Sequence, residues 1–87
     1  MSDSKYQSRH VQTLFDISNE TLRQWSMTFQ KHLSPTANPE KGRHRQFSHD
    51  DLRAFATIKR LKDEGKINKD ILTYLKTGQA LDDAPAL

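Results

Sequence analysis

One pattern recurs three times along this chain: an apolar residue, then Ser or Asn, then three residues and a Leu. It appears as Ile17, Ser18 and Leu22, as Phe47, Ser48 and Leu52, and as Ile67, Asn68 and Leu72. Each is a helix start. The short polar side chain accepts hydrogen bonds from first-turn N–H groups that have no partner inside the helix, worth about 1 kcal/mol relative to Ala. The flanking apolar pair forms a hydrophobic staple. A fourth start lies at Gln7 or Ser8, where Tyr6 can staple onto Val11. The chain is therefore expected to form four helices joined by short connections.

The spacing of the first two helices constrains the topology. Helix one, about Ser8 to Phe15, turns Val11, Leu14 and Phe15 inward, and Asp16 ends it just before the second start at Ser18. Two helices joined by so short a turn cross steeply, which is the helix-turn-helix arrangement. Helix two runs to about Phe29, with Leu22, Trp25 and Phe29 on its inner face and Asn19, Glu20, Arg23 and Gln24 left outside. Trp25 is read as a core residue.

Residues 31 to 46 hold Pro35, Pro39 and Gly42 and show no helical period, so they are read as a loop with a small two-stranded ribbon, a wing. Helix three, Ser48 to Glu64, carries an apolar stripe at Leu52, Phe55, Ile58 and Leu61, with Arg53, Thr57, Arg60 and Glu64 on a wet face. Gly65 is its C-cap. Helix four, about Lys69 to Lys76, buries Ile71, Leu72 and Leu75. The expected fold is mainly α: a four-helix winged helix-turn-helix with a small two-stranded wing. Residues 1–5 are expected to be a flexible N-terminus, 6–76 the folded domain, and 77–87 a disordered tail or the start of a linker.

Composition narrows the function classes. A chain of 87 residues with 33% hydrophobic content supports one small domain, with a core of roughly ten to fifteen side chains. There is no cysteine, which excludes disulfides and thiolate metal sites. His44 and His49 lack further ligands at metal spacing. No metal and no cofactor are expected. No phosphate-binding glycine loop or two-histidine helix is present, and the carboxylate pairs Asp50, Asp51 and Asp82, Asp83 fall at a helix start and in the tail, so catalysis is not expected. No apolar run reaches membrane-span length, and Met1 to Lys5 is too polar for a secretory signal. The expectation is a cytoplasmic protein of a bacterium or phage, associated with the nucleoid.

The net charge is +3, and all of it lies in residues 1–47, where seven basic residues face four acidic ones. That half contains both candidate reading elements. Asn, Glu, Arg and Gln side chains can hydrogen-bond base edges, and Arg43, His44 and Arg45 sit on a glycine turn directly before a helix. Asn19 and Glu20 also suit the first turn of a helix for its dipole alone, so base reading and dipole stabilisation both remain open there. The basic segment Lys59 to Lys62 is read as a solvated helix face.

In order and spacing these residues resemble the MerR family of winged helix-turn-helix transcription regulators over roughly Tyr6 to Leu75. Ile17, Ser18, Thr21, Leu22 and Arg23 match the family's Val-Ser-x-x-Thr-Leu-Arg recognition segment. Gly42 to Leu52 matches its Gly-x-Arg-x-Tyr-Ser-x-x-Asp-Leu wing and helix start, and Ile58, Leu61 and Gly65 fit the rest of that helix and its stop. The chain departs from the family at Gln24, where a tyrosine is common, at Phe47 in place of Tyr, and in one extra wing residue. The long dimerising helix and effector domain usual in the family are not expected within these 87 residues.

The resemblance implies sequence-specific binding of double-stranded DNA, with helix two in the major groove and the wing on the adjacent backbone or minor groove. The residues it implicates are Ser18, Asn19, Glu20, Arg23 and Gln24 of the helix and Arg43, His44 and Arg45 of the wing. Such regulators pair two modules on two half-sites, so a dimer is expected of the full-length protein and a monomer of these 87 residues alone. An architectural DNA binder, excisionase-like or chromosome-anchoring, is the alternative, and a helical protein-interaction module is the alternative from another class.

Overall fold

The computed structural model describes residues 5–40, 42–78 and 80–84. The chain runs β1 (Tyr6–Gln7), α1 (Ser8–Phe15), α2 (Asn19–Thr28), β2 (Gln46–Phe47), α3 (His49–Asp63) and α4 (Asn68–Lys76). Two 3-10 turns, Gln30–His32 and Pro35–Ala37, lie between α2 and β2. Among the described residues, four helices and one two-stranded antiparallel sheet make a winged helix-turn-helix, as expected.

Two of the three repeated helix starts form as read. The Ser18 hydroxyl oxygen accepts from the Thr21 N–H at 3.1 Å. Ser48 accepts from the Asp51 N–H at 3.1 Å while the Asp51 carboxylate accepts from the Ser48 N–H at 2.9 Å, a reciprocal capping box. The third start is shifted. Ile67, not Asn68, is the cap of α4 and makes no side-chain cap bond. It is 61% exposed, so no staple closes there. Gly65, at φ 88°, ends α3 with paired bonds from Gly65 N–H to Lys62 and from Lys66 N–H to Leu61, the Schellman arrangement. So tight a turn lets the Ile67 carbonyl take the first α4 bond, from Ile71, and Asn68 is already helical. Its side-chain oxygen accepts from Lys62 Nζ instead.

The turn of the helix-turn-helix rests on Asp16, in the left-handed region at φ 51° and ψ 51°. Asp tolerates that region better than most residues with a Cβ. The Ile17 N–H bonds back to the Gln12 carbonyl at 3.1 Å, so the chain reverses within one turn and α2 starts immediately.

α3 is the central element. Leu52, Phe55, Ile58 and Leu61 are buried along it, and Phe55 meets three other rings. Phe15 of α1 lies edge-on at 6.1 Å, Phe47 of β2 edge-on at 5.4 Å, and Trp25 of α2 stacks at 6.2 Å. Val11, Leu22, Phe29, Ala37, Ile71 and Leu75 complete the core. Leu14 and Leu72, expected inside, are only half-buried.

The ribbon is not built within residues 31–46. Its partner strand comes from the start of the domain: Tyr6 pairs with Phe47 and Gln7 with Gln46. Proline cannot donate to a strand ladder, and Pro35 opens a 3-10 turn, so the stretch before the wing folds as turns. Polar ties hold it down. Asn38 Nδ2 donates to the Ser26 carbonyl at 2.6 Å, and the Ser34 N–H donates to the Asp51 carboxylate at 2.8 Å. The Ser34 hydroxyl donates to the other oxygen of Asp51, which is 2% exposed.

The wet face expected of α3 is corrected at Thr57, against which part of the stretch expected to be a disordered tail or the start of a linker lies. Thr57 is fully buried, because residues 80–84 lie back along α3. The Asp82 N–H donates to the Thr57 hydroxyl at 2.8 Å, and the Asp82 carboxylate accepts from Arg60 Nε at 2.8 Å. Leu81 and Ala84 pack against the core. Arg60 also bonds Glu64 and lies 5.8 Å from the centre of the Tyr74 ring. Of the two expected flexible ends, residues 1–4, 79 and 85–87 lie outside the described residues.

Two substitutions test this reading. Phe55→Ala removes the ring on which three elements converge and should cost about 3–5 kcal/mol in a denaturant titration, enough to unfold much of so small a domain. Asp51→Asn keeps the shape but points an NH2 group at donors. It should cost about 1–3 kcal/mol by the same measurement.

Candidate nucleic-acid interface

The sequence places two sets of polar residues on the surface, and the structure treats them differently. On α2, Ser18 is exposed, but its hydroxyl is committed to the cap, accepting from the Thr21 N–H and donating to the Thr21 hydroxyl oxygen. Asn19 is exposed and accepts from Gln12 Nε2 at 3.4 Å, a bridge from α2 back to α1.

Glu20, Arg23 and Gln24 form one cluster one turn further along. Arg23 donates from Nε to one carboxylate oxygen of Glu20 at 3.1 Å and from Nη2 to the other. Gln24 Nε2 donates to Glu20 at 3.2 Å, and Arg23 Nη1 lies 3.5 Å from the Met27 sulfur. The cluster is open to solvent, with the Arg23 and Glu20 side chains 48% and 60% exposed. Hydrogen bonding from Arg23 holds the Glu20 carboxyl below the ordinary glutamate range, against a smaller opposing desolvation and with help from the arginine charge. The same bond raises the guanidinium of Arg23.

The wing set is arranged around a reversal at Gly42, whose φ of 92° suits glycine. The Arg43 N–H bonds the Glu40 carbonyl at 3.1 Å. Arg43 and His44 are exposed at the tip, whereas Arg45 is half-buried and turns its Nη1 toward the Ala37 carbonyl at 3.5 Å. Among the described residues, no ion pair occupies Arg43 or Arg45. The other ion-paired arginines, Arg53 and Arg60, lie on α3.

Arg9 was not singled out in the sequence. The β1–β2 pairing brings the start of α1 against the wing, and a cleft of about 390 Å³ there is lined by Gln7, Ser8, Arg9, His44, Arg45 and Gln46. A neighbouring cleft of about 360 Å³ is lined by Thr36, Pro39, Arg43, His44 and Gln46. His44 borders both. No signal along the chain marks Arg9, because its approach to residues 44–46 depends on a two-residue strand too short to show alternation. Among the described residues, no hydrogen bond or ion pair joins the α2 set to the wing set.

A family model described as MerR HTH family regulatory protein matches residues 6–77. The chain belongs to the MerR family. The match runs from β1 through α4 and so includes α2, the wing and α3. No curated protein and no solved structure matches the chain significantly. The MerR domain here therefore carries a helix-turn-helix of DNA-binding regulators, on which α2 is the second helix of the motif. Among the described residues no helix is long and apolar enough to cross a membrane, and no group of three or more His, Cys, Asp or Glu could hold a metal ion.

The cluster on α2 gives a direct titration test. Because Arg23 depresses the Glu20 pKa, the ion pair is intact above the unfolded value and is lost as pH falls through the lower folded one. Carboxyl-detected NMR should find the Glu20 midpoint below 4.5 in the native domain, and Arg23→Ala should move it up toward that ordinary value.

Proposed function

We propose that this domain binds specific double-stranded DNA sequences as the reading head of a transcription regulator, with α2 in the major groove and the wing on the adjacent backbone or minor groove. One observation carries the reading: the second helix of a MerR-family helix-turn-helix presents Asn19, Glu20, Arg23 and Gln24 to solvent. These are side chains whose donors and acceptors match base edges. Ser18 lies at the N-terminus of α2, where a phosphate is favoured by the helix dipole.

The wing supplies the positioning contacts. Arg43 and His44 project from the Gly42 reversal, and Arg45 joins Arg9 along the cleft between the wing and α1. Cations so placed hold phosphates and fix the register of the reading helix, without reading sequence themselves. α2 has ten residues. It is about 15 Å long at 1.5 Å per residue, enough for a few base pairs. Regulatory affinity is then reached by two domains on half-sites about one helical turn, or a multiple of it, apart.

Fluorescence anisotropy against a selected duplex tests the proposal. Affinity should fall with salt by roughly 0.9 log unit per log unit of salt for each phosphate contacted. Arg45→Ala should weaken all sequences nearly alike and flatten that slope by about one contact, whereas Arg23→Ala should relax discrimination among sequences by about 1–3 kcal/mol. Binding with no salt dependence, or with no preference among duplexes, would refute the proposal.

A further inference from the structure

We infer that Glu20 is a specificity-determining positioning residue: its carboxylate grips one edge of the Arg23 guanidinium and leaves the adjacent, end-on edge to read a guanine in the major groove. This inference rests on the proposed reading of DNA by α2.

The geometry supplies the argument. A guanidinium has five N–H donors in a flat fork and can take two acceptors through either of two edges, Nε with Nη2 or Nη1 with Nη2. In this domain Glu20 occupies the first edge, with Nε on one oxygen at 3.1 Å and Nη2 on the other. The remaining edge is the end-on one, at Nη1 and the second hydrogen of Nη2. Its neighbour within the protein is the Met27 sulfur, 3.5 Å from Nη1 and a weak acceptor that a base can displace. The acceptors N7 and O6 of guanine match such an edge as a bidentate pair.

Stability gives no reason for this arrangement. An exposed pair three residues apart on a helix contributes little to folding, because solvent screens it and two long side chains lose freedom. In recognition it contributes more. An arginine held in one orientation loses less entropy on binding a base, and a held edge distinguishes guanine from the other bases. The carboxylate also repels the DNA polyanion, so it weakens binding wherever the guanine is missing and no specific contact offsets the repulsion. Gln24 donates to the same carboxylate at 3.2 Å, on the oxygen that also accepts from Arg23 Nη2, and so helps to fix it.

The test is selection of duplexes from a randomised library by the intact chain, followed by affinity measurement on the selected site and on versions changed at each guanine. The native protein should lose about tenfold or more at one guanine position. Glu20→Gln and Glu20→Ala should both bind random duplex more tightly than the native protein while that position's discrimination falls several-fold, and Arg23→Ala should abolish it. Glu20→Asp, which keeps the charge on a shorter arm, should keep the weak binding to random duplex but lose part of the guanine preference. Circular dichroism and melting temperature should be nearly unchanged in the Glu20 variants, which separates the effect from unfolding. If the native protein shows no sequence preference, the DNA-reading proposal fails and this inference with it. If the native protein discriminates and Glu20→Ala discriminates equally at the guanine, only the inference is overturned.

Discussion

The parts of this domain that could touch DNA are oriented by one ring. Phe55 sits inside α3 and meets Phe15 from α1, Trp25 from α2 and Phe47 from β2, at centroid distances between 5.4 and 6.2 Å. Each contact orients an element: the two helices of the helix-turn-helix and the strand that leads out of the wing. Aromatic pairs at such separations contribute about 0.5–1.5 kcal/mol each beyond the area they bury, and they prefer particular angles, which aliphatic contacts do not. In a chain of 87 residues the core is too small for redundancy. One ring therefore sets both the stability of the domain and the relative placement of its surface elements.

Asp51 is the polar counterpart of Phe55, one turn earlier on α3. Its buried carboxylate takes the Ser48 N–H, the Ser34 N–H and the Ser34 hydroxyl. Buried charge is costly unless it is fully hydrogen-bonded, and here three donors converge on it. The result is that one residue both starts α3 and anchors the chain at Ser34, well ahead of the wing strand. With Asn38 bonded to Ser26 and Ala37 buried, the irregular stretch between α2 and β2 is fastened at Ser34, Ala37 and Asn38 in turn. The loop that carries Arg43 and His44 thus starts from a fixed base.

How much of this was legible in the sequence depends on the range of the interaction concerned. Helix starts at Ser18 and Ser48 and the stop at Gly65 are local chemistry, fixed by residues within one turn, and they were readable. So was the inward stripe of α3, because a helical period survives without knowledge of the partner. What escaped involves distant pairs. Tyr6 and Gln7 form a strand only because Gln46 and Phe47 are beside them. Thr57 and Arg60 read as a solvent face until residues 80–84 lie against them, burying Thr57, which accepts from the Asp82 N–H, and pairing the still partly exposed Arg60 with the Asp82 carboxylate. Asn68 was displaced from its cap by a turn whose tightness depends on how Lys66 bonds back to Leu61. For the candidate site, the exposed residues of α2 were named from periodicity, whereas the bidentate hold of Glu20 on Arg23 and the approach of Arg9 to the wing required coordinates.

The arginines of this domain differ in how far carboxylates compensate their charge. A net charge of +3 gives nonspecific attraction to any polyanion and no discrimination. On α3, Arg53 and Arg60 are turned to carboxylates of Asp50, Glu64 and Asp82, which partly compensates their charge, and the Arg60–Asp82 pair ties the C-terminal segment to the helix. At the wing, Arg43 is left to solvent and Arg45 only leans on a carbonyl, so their charge is available to phosphates. Arg23 is intermediate, since one edge of its guanidinium is neutralised and the other is open. A cation in that state attracts the backbone less than a free one and gains its full interaction only when two acceptors meet the open edge together. Specificity is a difference between affinities, and it grows as readily by lowering the wrong one as by raising the right one. On the proposed reading, Glu20 beside Arg23 would act on the first of these, and the wing arginines, which no carboxylate pairs among the described residues, would supply the attraction it removes.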